Sequence, residues 1–437
     1  MASSTGAPAD PPAAAAALAA YRAAGQVLRP VLPLALARRA RRGKEDPARM
    51  AERYGIASRP RPQGRVVWVH AASVGETNAV IGLVERIVAT GIAVVFTSVT
   101  VTSAALAARR LPAAAAHQFS PLHVGTYVGR FLDHWRPDLP LFVESEIWPV
   151  TMLQLAARRI PQVRLNAHMS ERSARGWSRF GGVAGALFGR FSLCLAQSEA
   201  DGARYRALGA RDVTVTGNLK FDEPPPKVDP AALAAFRTAV GSRPLWVAAS
   251  THEGEEAMAA EAHAMLAPRI PGLLTVIVPR HPARGGEIRA MLAARGLKVA
   301  QRSLGEPLTA ENDVHLADTL GELGLFYQAA PVAFVGATLV DIGGHNPIEP
   351  VQLDAAIVHG PHTQNAAEIY AALDEGGGAV RVADGAGLAA AVERLLTDPA
   401  ERDRRCQAAA AMLQPFTGAQ ARSFAALAPW LDAGKAG

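Results

Sequence analysis

The sequence is poor in cysteine and in aromatic residues. Its 437 residues include two cysteines, Cys194 and Cys406, which lie far apart and match no metal or redox spacing. This pattern disfavours a disulfide framework and favours two reduced thiols in a cytosolic protein. Aromatic residues make up 6% of the chain and hydrophobic residues 49%, so alanine and aliphatic side chains must fill the core. The length fits two domains of ordinary size.

Long hydrophobic runs and the common nucleotide-binding motifs are also missing. The apolar stretch over residues 27–36 is interrupted by an arginine and two prolines, and it falls short of the ~20 residues needed to span a bilayer. No Walker loop or Gly-x-Gly-x-x-Gly motif follows a first strand, so nucleotide hydrolysis and dinucleotide redox chemistry are poorly supported. No standard ligand spacing groups the histidines, and we expect no protein-bound metal. These histidines are His252, His281, His345 and His362.

Positive charge is concentrated near the N-terminus. The chain has a net charge of +6, but residues 22–65 alone carry twelve Lys or Arg against three acids. Nucleic-acid binding is disfavoured because only Tyr21 and Tyr54 could supply stacking rings there. We expect a basic, apolar helical element that lies on an anionic membrane surface. The alternative is a solvated basic helix that caps the next domain.

From residue 65 onward, short apolar runs alternate with helical patterns. The sequence predicts buried strands at 66–69, 94–97, 139–143, 162–165 and 193–196, and then, after three consecutive prolines, at 245–249, 274–278, 314–317, 332–335 and 356–359. This alternation is typical of doubly wound α/β sheets. We predict two Rossmann-like domains facing a cleft, which is the GT-B glycosyltransferase architecture, preceded by the N-terminal membrane-associating helical element.

The same patterns suggest domain boundaries. The predicted segments are disorder over 1–17, the basic helical element over 18–62, an N-terminal Rossmann-like domain over 63–222, a linker over 223–242, a C-terminal Rossmann-like domain over 243–415 and a C-terminal helix over 416–437.

Ligands of such sheets bind at the carboxyl ends of strands, so the motifs at those ends are candidates for chemistry. The first motif runs from Ser73 through Gly75 to Glu76, and Glu76 opens the helix that follows the first strand. Glu76 is either a capping residue stabilised by the helix dipole or a general base that accepts the proton of an attacking hydroxyl.

Two further acids and one lysine follow later strands of the first domain. Glu144 and Glu146 flank a serine at a strand end, where they are either surface acids or residues that bind an acceptor and support Glu76. Lys220 precedes the proline break, and it either meets an anionic substrate or is a plain surface lysine.

The second domain carries four polar strand-end motifs, whose backbone N–H groups can bind phosphate. Arg280 can add a charge-assisted contact to the phosphate, and Glu349 is suited to the hydroxyls of a ribose. Ordinary turn chemistry is the alternative for each motif. The motifs are 249–255, 278–282, 318–323 and 343–350.

The motifs together, in this order, resemble those of the 3-deoxy-D-manno-octulosonic acid (Kdo) transferases of lipopolysaccharide biosynthesis. The resemblance runs from about Tyr21 to the end of the second domain and includes residues 43–45 and 52–55. It implies an inverting GT-B enzyme that moves Kdo from CMP-Kdo to a lipid A precursor (lipid IVA) in inner-core assembly. It implies no metal and no cofactor, and a place on the cytoplasmic side of the inner membrane. We expect no nucleic-acid partner, and we predict no protein partner.

The resemblance also implies roles for particular residues. Glu76 matches the proton acceptor of the family, and the N-terminal and C-terminal domains match its acceptor-binding and CMP-Kdo-binding domains. Supporting or acceptor-binding residues are Ser73, Gly75, Glu144, Glu146 and Lys220. Donor-binding residues that would hold CMP are Pro279, Arg280, Leu320, Gly321, Glu322, Asn346, Pro347, Ile348 and Glu349.

The chain departs from the usual family pattern at three places. His168 stands where arginine is expected, Ala337 where the second glycine of Gly-Gly-Ser is expected, and Ala366 where phenylalanine is expected. These departures concern fine specificity rather than the class of reaction. The competing interpretations are a nucleotide-sugar 2-epimerase and a catalytically inactive lipid- or nucleotide-binding module. Release of CMP only in the presence of lipid A precursor would distinguish the transferase from both.

Overall fold

The computed structural model describes residues 10–144, 146–222 and 225–432. The chain divides into two compact units, one formed by Met1–Glu223 with Thr417–Gly437 and the other by Pro224–Phe416. Each unit is built on a seven-stranded sheet in which every paired strand is parallel. The prediction of an α/β fold with two Rossmann-like domains is confirmed.

The sheet of the first unit has the strand order β3-β2-β1-β4-β5-β6-β7. Its strands are β1 (Val66–His70), β2 (Ala93–Ser98), β3 (Ala115–Phe119), β4 (Leu139–Val143), β5 (Val163–Ala167), β6 (Leu193–Ala196) and β7 (Val213–Val215). The helices up to this point of the chain are α1 (Pro12–Val27), α2 (Leu32–Arg41), α3 (Met50–Arg53), α4 (Val74–Ala89), α5 (Val101–Arg110), α6 (Gly125–Trp135), α7 (Pro149–Ala157), α8 (Glu171–Ser178), α9 (Gly181–Phe188) and α10 (Glu199–Ala207).

The sheet of the second unit has the strand order β10-β11-β9-β8-β12-β13-β14. Its strands are β8 (Leu245–Thr251), β9 (Leu274–Pro279), β10 (Val299–Gln301), β11 (Val314–Leu316), β12 (Val332–Val335), β13 (Ala356–His359) and β14 (Ala379–Arg381). Its helices are α11 (Pro230–Val240), α12 (Glu255–Leu266), α13 (Gly285–Ala294), α14 (Leu323–Ala329), α15 (Ile348–Gln352), α16 (Ala367–Glu375), α17 (Gly385–Thr397) and α18 (Pro399–Leu413).

All ten predicted strands are present, and the four that the sequence did not predict are β3, β7, β10 and β14. These four strands are the edges of the two sheets. Central strands of a parallel sheet are covered on both faces and therefore form continuous apolar runs. The edge strands are shorter or more polar, as in β3, which includes His117 and Gln118, so hydrophobic patterning does not mark them.

Each sheet has one point at which the strand order reverses. In the first sheet this point lies between β1 and β4, and in the second between β8 and β12. The crossovers on either side of such a point run in opposite directions, which opens a crevice beyond the carboxyl ends of the two strands. This topology places the loops after β1, β4, β8 and β12 where ligands of open α/β sheets bind.

The N-terminal element is helical, and α1 packs on the first unit through Ala14 and Leu18, which are buried in the cluster around Phe188. The prediction of disorder over residues 1–17 is therefore wrong for residues 12–17, because burial of these apolar side chains stabilises the first turns of α1. Residues 1–9 lie outside the described residues. In the part of the chain that the structure describes, no helix is both long and apolar enough to cross a bilayer.

Hydrogen bonds of buried charged side chains fix this element to the first unit. The Arg53 guanidinium donates to Glu45 Oε2 at 2.8 Å and to the carbonyls of Ser120 and Val99 at 3.1 and 2.5 Å. Glu52 Oε2 accepts from the backbone N–H of Phe119, in β3, at 2.7 Å. These residues lie in the two N-terminal motifs that carried the family resemblance, and the structure shows that their charges anchor the element.

Two predicted boundary segments contain helices that pack on a core. The prediction of a linker over 223–242 is wrong for α11, because Leu233, Phe236 and Val240 lie at helical spacing and are buried in the second unit. The C-terminal helix is confirmed as α19 (Ala419–Asp432), which packs on α4 of the first unit. Residues 433–437 of that predicted segment lie outside the described residues.

We predict that Arg53→Met destabilises the first unit by about 3 kcal/mol, because it removes the buried cation of Glu45 and leaves the Ser120 and Val99 carbonyls without their donor. Arg39→Met is the matched control, since Arg39 also contacts Glu45 at 2.8 Å but is half exposed, and its loss is expected to cost under about 1 kcal/mol. Urea denaturation followed by circular dichroism measures both free energies of unfolding. Equal effects of the two substitutions would contradict the anchoring role of Arg53.

Candidate active site

The turn after β1 holds Glu76 in the first turn of α4. Ser73 is the N-cap of this helix, and its Oγ accepts from the Glu76 N–H at 3.2 Å. The Glu76 carboxylate accepts in return from the Ala72 N–H at 2.8 Å and from Ser73 Oγ at 3.1 Å. This reciprocal arrangement is close to a capping box. Glu76 is therefore part of the cap of α4, and its hydrogen bonds hold the carboxylate in one orientation.

The environment of Glu76 gives its carboxylate a basic character. Its side chain is 8% exposed, and this burial raises the pKa of Glu76. The nearby charges of Glu144 and Glu146 raise it further, while the donors from Ala72 and Ser73 act in the opposite direction. A carboxylate with a raised pKa accepts a proton more readily, so Glu76 can act as a general base as well as a cap.

Glu144 is paired with a cation. Lys220 Nζ lies 2.5 Å from Glu144 Oε1, which joins the loop after β4 to the short 3-10 helix over Leu219–Asp222. Glu144 has a left-handed backbone with φ of 54°, and its N–H donates to the Leu165 carbonyl at 2.9 Å. The structure thus brings Glu76, Glu144 and Lys220 to one edge of the first sheet, as the strand-end motifs predicted.

Asn166 connects the ends of these loops. Its side-chain Oδ1 accepts from the Leu219 N–H at 2.9 Å, and its Nδ2 lies 3.3 Å from Asn218 Oδ1. Asn218 Oδ1 also accepts from the Lys220 N–H at 3.0 Å. The two asparagines therefore set the position of Lys220 relative to Glu144, a role that the sequence analysis did not assign.

His168, which replaces the arginine expected in the family, lies beside Asp201. Its Nδ1 is 3.2 Å from Asp201 Oδ1, and this hydrogen bond raises the pKa of the half-exposed His168. The same carboxylate accepts from the Met169 N–H at 2.8 Å. His168 thus keeps a cationic group at this position when it is protonated.

Three of the histidines that sequence spacing did not group come together in the second unit. His252 Nε2 lies 3.0 Å from His345 Nε2, and the His281 ring centroid is 5.5 Å from that of His252. Burial, followed by the neighbouring imidazole and guanidinium groups, lowers the pKa of His345 to about 4. Arg280 follows β9, and its positive charge is among the causes that lower the pKa of His252 and His345. A cluster of this kind suits a negatively charged ligand.

The loops around this cluster are tied together by Glu255, at the start of α12. Its fully buried carboxylate accepts from the N–H groups of His252, Ala337, Thr338 and Leu339 at 2.7–3.0 Å. These donors belong to the loops after β8 and β12, which flank the reversal point of the second sheet. The sequence analysis included Glu255 in a motif without assigning it a role, because three of its four partners lie more than 80 residues away.

Close backbone approach also shapes the loop after β12. A Cβ on Gly336 would lie 2.4 Å from the Ser250 carbonyl oxygen, so only glycine fits there. Ala337, where glycine is usual in the family, is buried and adopts a left-handed backbone with φ of 61°. This conformation costs an L-residue about 1–2 kcal/mol, and the hydrogen bond from its N–H to Glu255 offsets part of that strain.

The remaining predicted donor-binding residues occupy two separate loops. Asn346 Oδ1 accepts from the Ile348 N–H at 3.0 Å, and burial raises the pKa of Glu349, against a hydrogen bond from Asn346. This segment follows His345 directly and lies next to the histidine cluster. Leu320 and Gly321 lie after β11, where Glu322 accepts from Arg302 Nε at 2.6 Å, so this segment is engaged with Arg302.

Candidate metal ligands are absent from the described part of the chain. No group of three or more His, Cys, Asp or Glu side chains there could hold a metal ion. In the histidine cluster, the cationic side chains Arg280 and Arg284 lie within electrostatic range of His252.

Two doubly wound parallel sheets in one chain, with polar loops at the reversal point of each, are the architecture of the GT-B fold, and the relatives of the chain are glycosyltransferases. A family model described as 3-deoxy-D-manno-octulosonic-acid transferase (kdotransferase) matches residues 48–223. A 3-deoxy-D-manno-octulosonic acid transferase of Haemophilus influenzae is 35% identical, over 88% of this chain and 92% of its own length. One of Bordetella pertussis is also 35% identical, over 94% and 99%. The chain belongs to the family of 3-deoxy-D-manno-octulosonic acid transferases.

Solved structures support the fold. A putative UDP-N-acetylglucosamine 2-epimerase of Listeria monocytogenes superposes with a TM-score of 0.58, over 85% of this chain and 98% of its own length. Its sequence identity is 14%, so this likeness concerns the fold alone.

We predict that Glu255→Gln destabilises the second unit by about 2 kcal/mol, because the amide NH₂ group cannot accept and leaves buried N–H donors unsatisfied. Glu253→Gln removes an exposed acid from the same loop and is expected to change the free energy of unfolding by under about 0.5 kcal/mol. Thermal unfolding by calorimetry checks both values. Wild-type stability of Glu255→Gln would show that Glu255 does not hold the two loops.

Proposed function

We propose that this chain transfers Kdo from CMP-Kdo to a lipid A precursor, lipid IVA, with inversion at the anomeric carbon. The observation that carries the proposal is Glu76, a buried carboxylate with a raised pKa, fixed at the reversal point of the first sheet. Family membership supports Kdo as the transferred sugar. The acceptor, the donor nucleotide and the stereochemistry are what the resemblance to the family implies, and the chemistry below is consistent with them.

The reaction is a single displacement. The Glu76 carboxylate takes the proton from a sugar hydroxyl of the acceptor, and the hydroxyl oxygen forms a bond to the anomeric carbon of Kdo. The bond from that carbon to the phosphate oxygen breaks, and its electron pair leaves with CMP. Attack and departure on opposite faces of the sugar give inversion.

Glu76 suits the role of base better than the other acids nearby. Glu144 is in contact with Lys220 at 2.5 Å, so its carboxylate is engaged with a cation. Glu76 accepts hydrogen bonds from neutral donors, Ala72 N–H and Ser73 Oγ, which orient the carboxylate. A base must be both oriented and basic, and Glu76 combines the two properties.

The leaving group can be stabilised by the second unit without a metal. Arg280 supplies a positive charge, and the neutral imidazoles of His252 and His345 can supply hydrogen-bond donors, for the single phosphate of CMP. Glu349 lies in the segment after His345 and can accept from ribose hydroxyls. We therefore propose that no protein-held metal and no cofactor takes part in the transfer.

The N-terminal element supports a place on the cytoplasmic side of the inner membrane. Its buried face anchors it to the first unit, while large apolar side chains on the remaining surface are exposed among arginines. A lipid-embedded acceptor gives a reason for such a surface, which resembles interfacial membrane helices. The exposed side chains are Tyr21, Val27, Leu28, Val31 and Leu34.

We predict that Glu76→Gln lowers transfer by 10²–10⁴-fold, because the amide cannot accept the proton but can still cap α4. The assay incubates CMP-Kdo with a tetra-acylated lipid A precursor and detects the product by mass spectrometry. Glu85→Gln, an exposed acid of the same helix, is expected to retain full activity. Normal transfer by Glu76→Gln would show that Glu76 only caps the helix and is not the base.

In wild type, kcat/KM should rise with pH through the raised pKa of Glu76, since only the ionised form accepts a proton. The midpoint of this rise should lie above the usual pKa of a glutamic acid.

CMP release should require the lipid precursor, whereas release without lipid would favour an epimerase-like or hydrolytic activity.

We predict that the double variant Leu28→Ser, Leu34→Ser binds vesicles containing phosphatidylglycerol at least about tenfold more weakly, because each leucine loses apolar burial in the interface. Leu304→Ser changes an equally exposed leucine of the second unit and serves as the control. Binding is measured by vesicle co-sedimentation at two salt concentrations, with higher salt expected to weaken the electrostatic part. Unchanged vesicle binding by the double variant would contradict the membrane-facing surface.

A further inference from the structure

The loop after β11 carries three of the residues that the family resemblance assigns to the donor, Leu320, Gly321 and Glu322. β11 pairs with β9, and Arg280 is the residue that follows β9. The carboxyl ends of parallel strands lie on one edge of a sheet, where ligands of open α/β sheets bind. The loop over residues 318–322 therefore lies on the ligand-binding edge of the second unit, after the strand next to the one that leads to Arg280.

A neighbouring segment holds the start of this loop. It is the stretch after β10, which forms a short 3-10 helix over Arg302–Leu304. The buried Asp318 carboxylate accepts from Ser303 N–H at 3.0 Å, from Ser303 Oγ at 2.7 Å and from Gln301 Nε2 at 2.7 Å. Because all three donors belong to one segment, they fix the start of the loop to the end of β10.

Arg302 holds the other end of the loop. Its Nε donates to Glu322 Oε2 at 2.6 Å, and its Nη2 donates to Glu322 Oε1. A guanidinium that contacts both oxygens of a carboxylate fixes the orientation of the carboxylate as well as its distance. The Arg302 guanidinium also lies over the ring of Phe326 on α14, with its central carbon 5.7 Å from the ring centroid. The ion pair is thus supported by the helix that follows the loop.

Both oxygens of Glu322 are engaged within the protein. Oε2 accepts from Thr319 Oγ1 as well as from Arg302, so a ribose hydroxyl would have to displace a charge-assisted contact to reach this carboxylate. Between the two fixed ends of the loop, Leu320 is 80% exposed and Gly321 has a left-handed backbone with φ of 86°. The loop therefore offers a ligand its backbone and one apolar side chain, while its two acids hold its shape.

We propose that Arg302 is a positioning residue for the donor, which holds the loop over 318–322 in the shape that receives the nucleotide. Glu322 then acts through Arg302 and does not contact the donor. The side chains of Arg302 and Glu322 are 27% and 29% exposed, and an ion pair with such access to solvent adds little to stability. Loss of the pair should therefore change the shape of the loop more than the folding of the unit. The proposal rests on the proposed function, in which this loop binds the CMP part of the donor.

The first measurement is the Kd of CMP for the full chain, obtained by isothermal titration calorimetry. Arg302→Met should weaken CMP binding by about tenfold, because a loop that is no longer preorganised must be ordered when the ligand binds. Arg302→Lys should restore part of the loss, since lysine keeps the charge but cannot make the two-pronged contact. Arg269→Met removes an arginine that lies 2.8 Å from Glu393 in the same unit, and it should bind CMP like wild type. Wild-type affinity of a folded Arg302→Met overturns the proposal.

A double-mutant cycle on CMP affinity decides whether Glu322 acts through Arg302. Glu322→Gln alone should weaken binding, but it should cause no further loss in a chain that already carries Arg302→Met. A further loss of the same size in that chain would show that Glu322 contacts the nucleotide independently, and it overturns the proposal. The same comparison in the Arg302→Lys chain, where the further loss should be smaller than in wild type, does not depend on the folding of Arg302→Met.

Transfer kinetics give a reading that a merely structural role would not move. The KM for CMP-Kdo should rise in Arg302→Met in step with the loss of CMP affinity, while kcat changes by less than about twofold, because Glu76 lies in the other unit. A fall in kcat with an unchanged KM overturns the proposal. A wild-type chain that does not bind CMP rejects the proposed donor and the role of Arg302 with it. A wild-type chain that binds CMP, together with an unaffected Arg302→Met, rejects the role of Arg302 alone.

Discussion

The parallel arrangement of the strands is the constraint on which the rest of this structure depends. Because every strand returns through a crossover, the carboxyl ends of all strands in a sheet lie on the same edge. The crossovers reverse direction between β1 and β4 and between β8 and β12. The loops near these two points carry most of the polar side chains of the candidate site. These side chains come from segments that lie up to about 150 residues apart in the chain.

Carboxylates at helix N-termini perform different tasks in the two units because their surroundings differ. Glu255 accepts from four backbone N–H groups that belong to two loops, so its charge is fully used in holding them. Glu76 accepts from one N–H and one hydroxyl, and burial together with Glu144 and Glu146 raises its pKa. Both residues begin a helix after the first strand of their sheet, but the smaller number of donors to Glu76 is compatible with the role of base proposed for it.

The basic N-terminal segment contains both buried and exposed arginines, which have different roles. Arg53 is buried, pairs with Glu45 and donates to backbone carbonyls of the first unit, while Arg38 and Arg41 are exposed on α2. A count of positive residues treats them alike. The burial of Arg53 fixes the element in place, and the exposed arginines, next to apolar side chains such as Leu34, belong to the surface for which membrane contact is proposed.

The sequence by itself determined the α/β class, the ten central strands and the strand-end motifs, because apolar runs and helix caps are local properties. Hydrophobic patterning did not predict the edge strands, because their more exposed faces lack a continuous apolar run. It did not predict α11, because that helix lies in a segment that begins with prolines. Only the tertiary structure grouped His252 with His345 and gave Glu255 its donors from the loop after β12. These relations depend on strand order and register, which bring together residues that no local pattern connects.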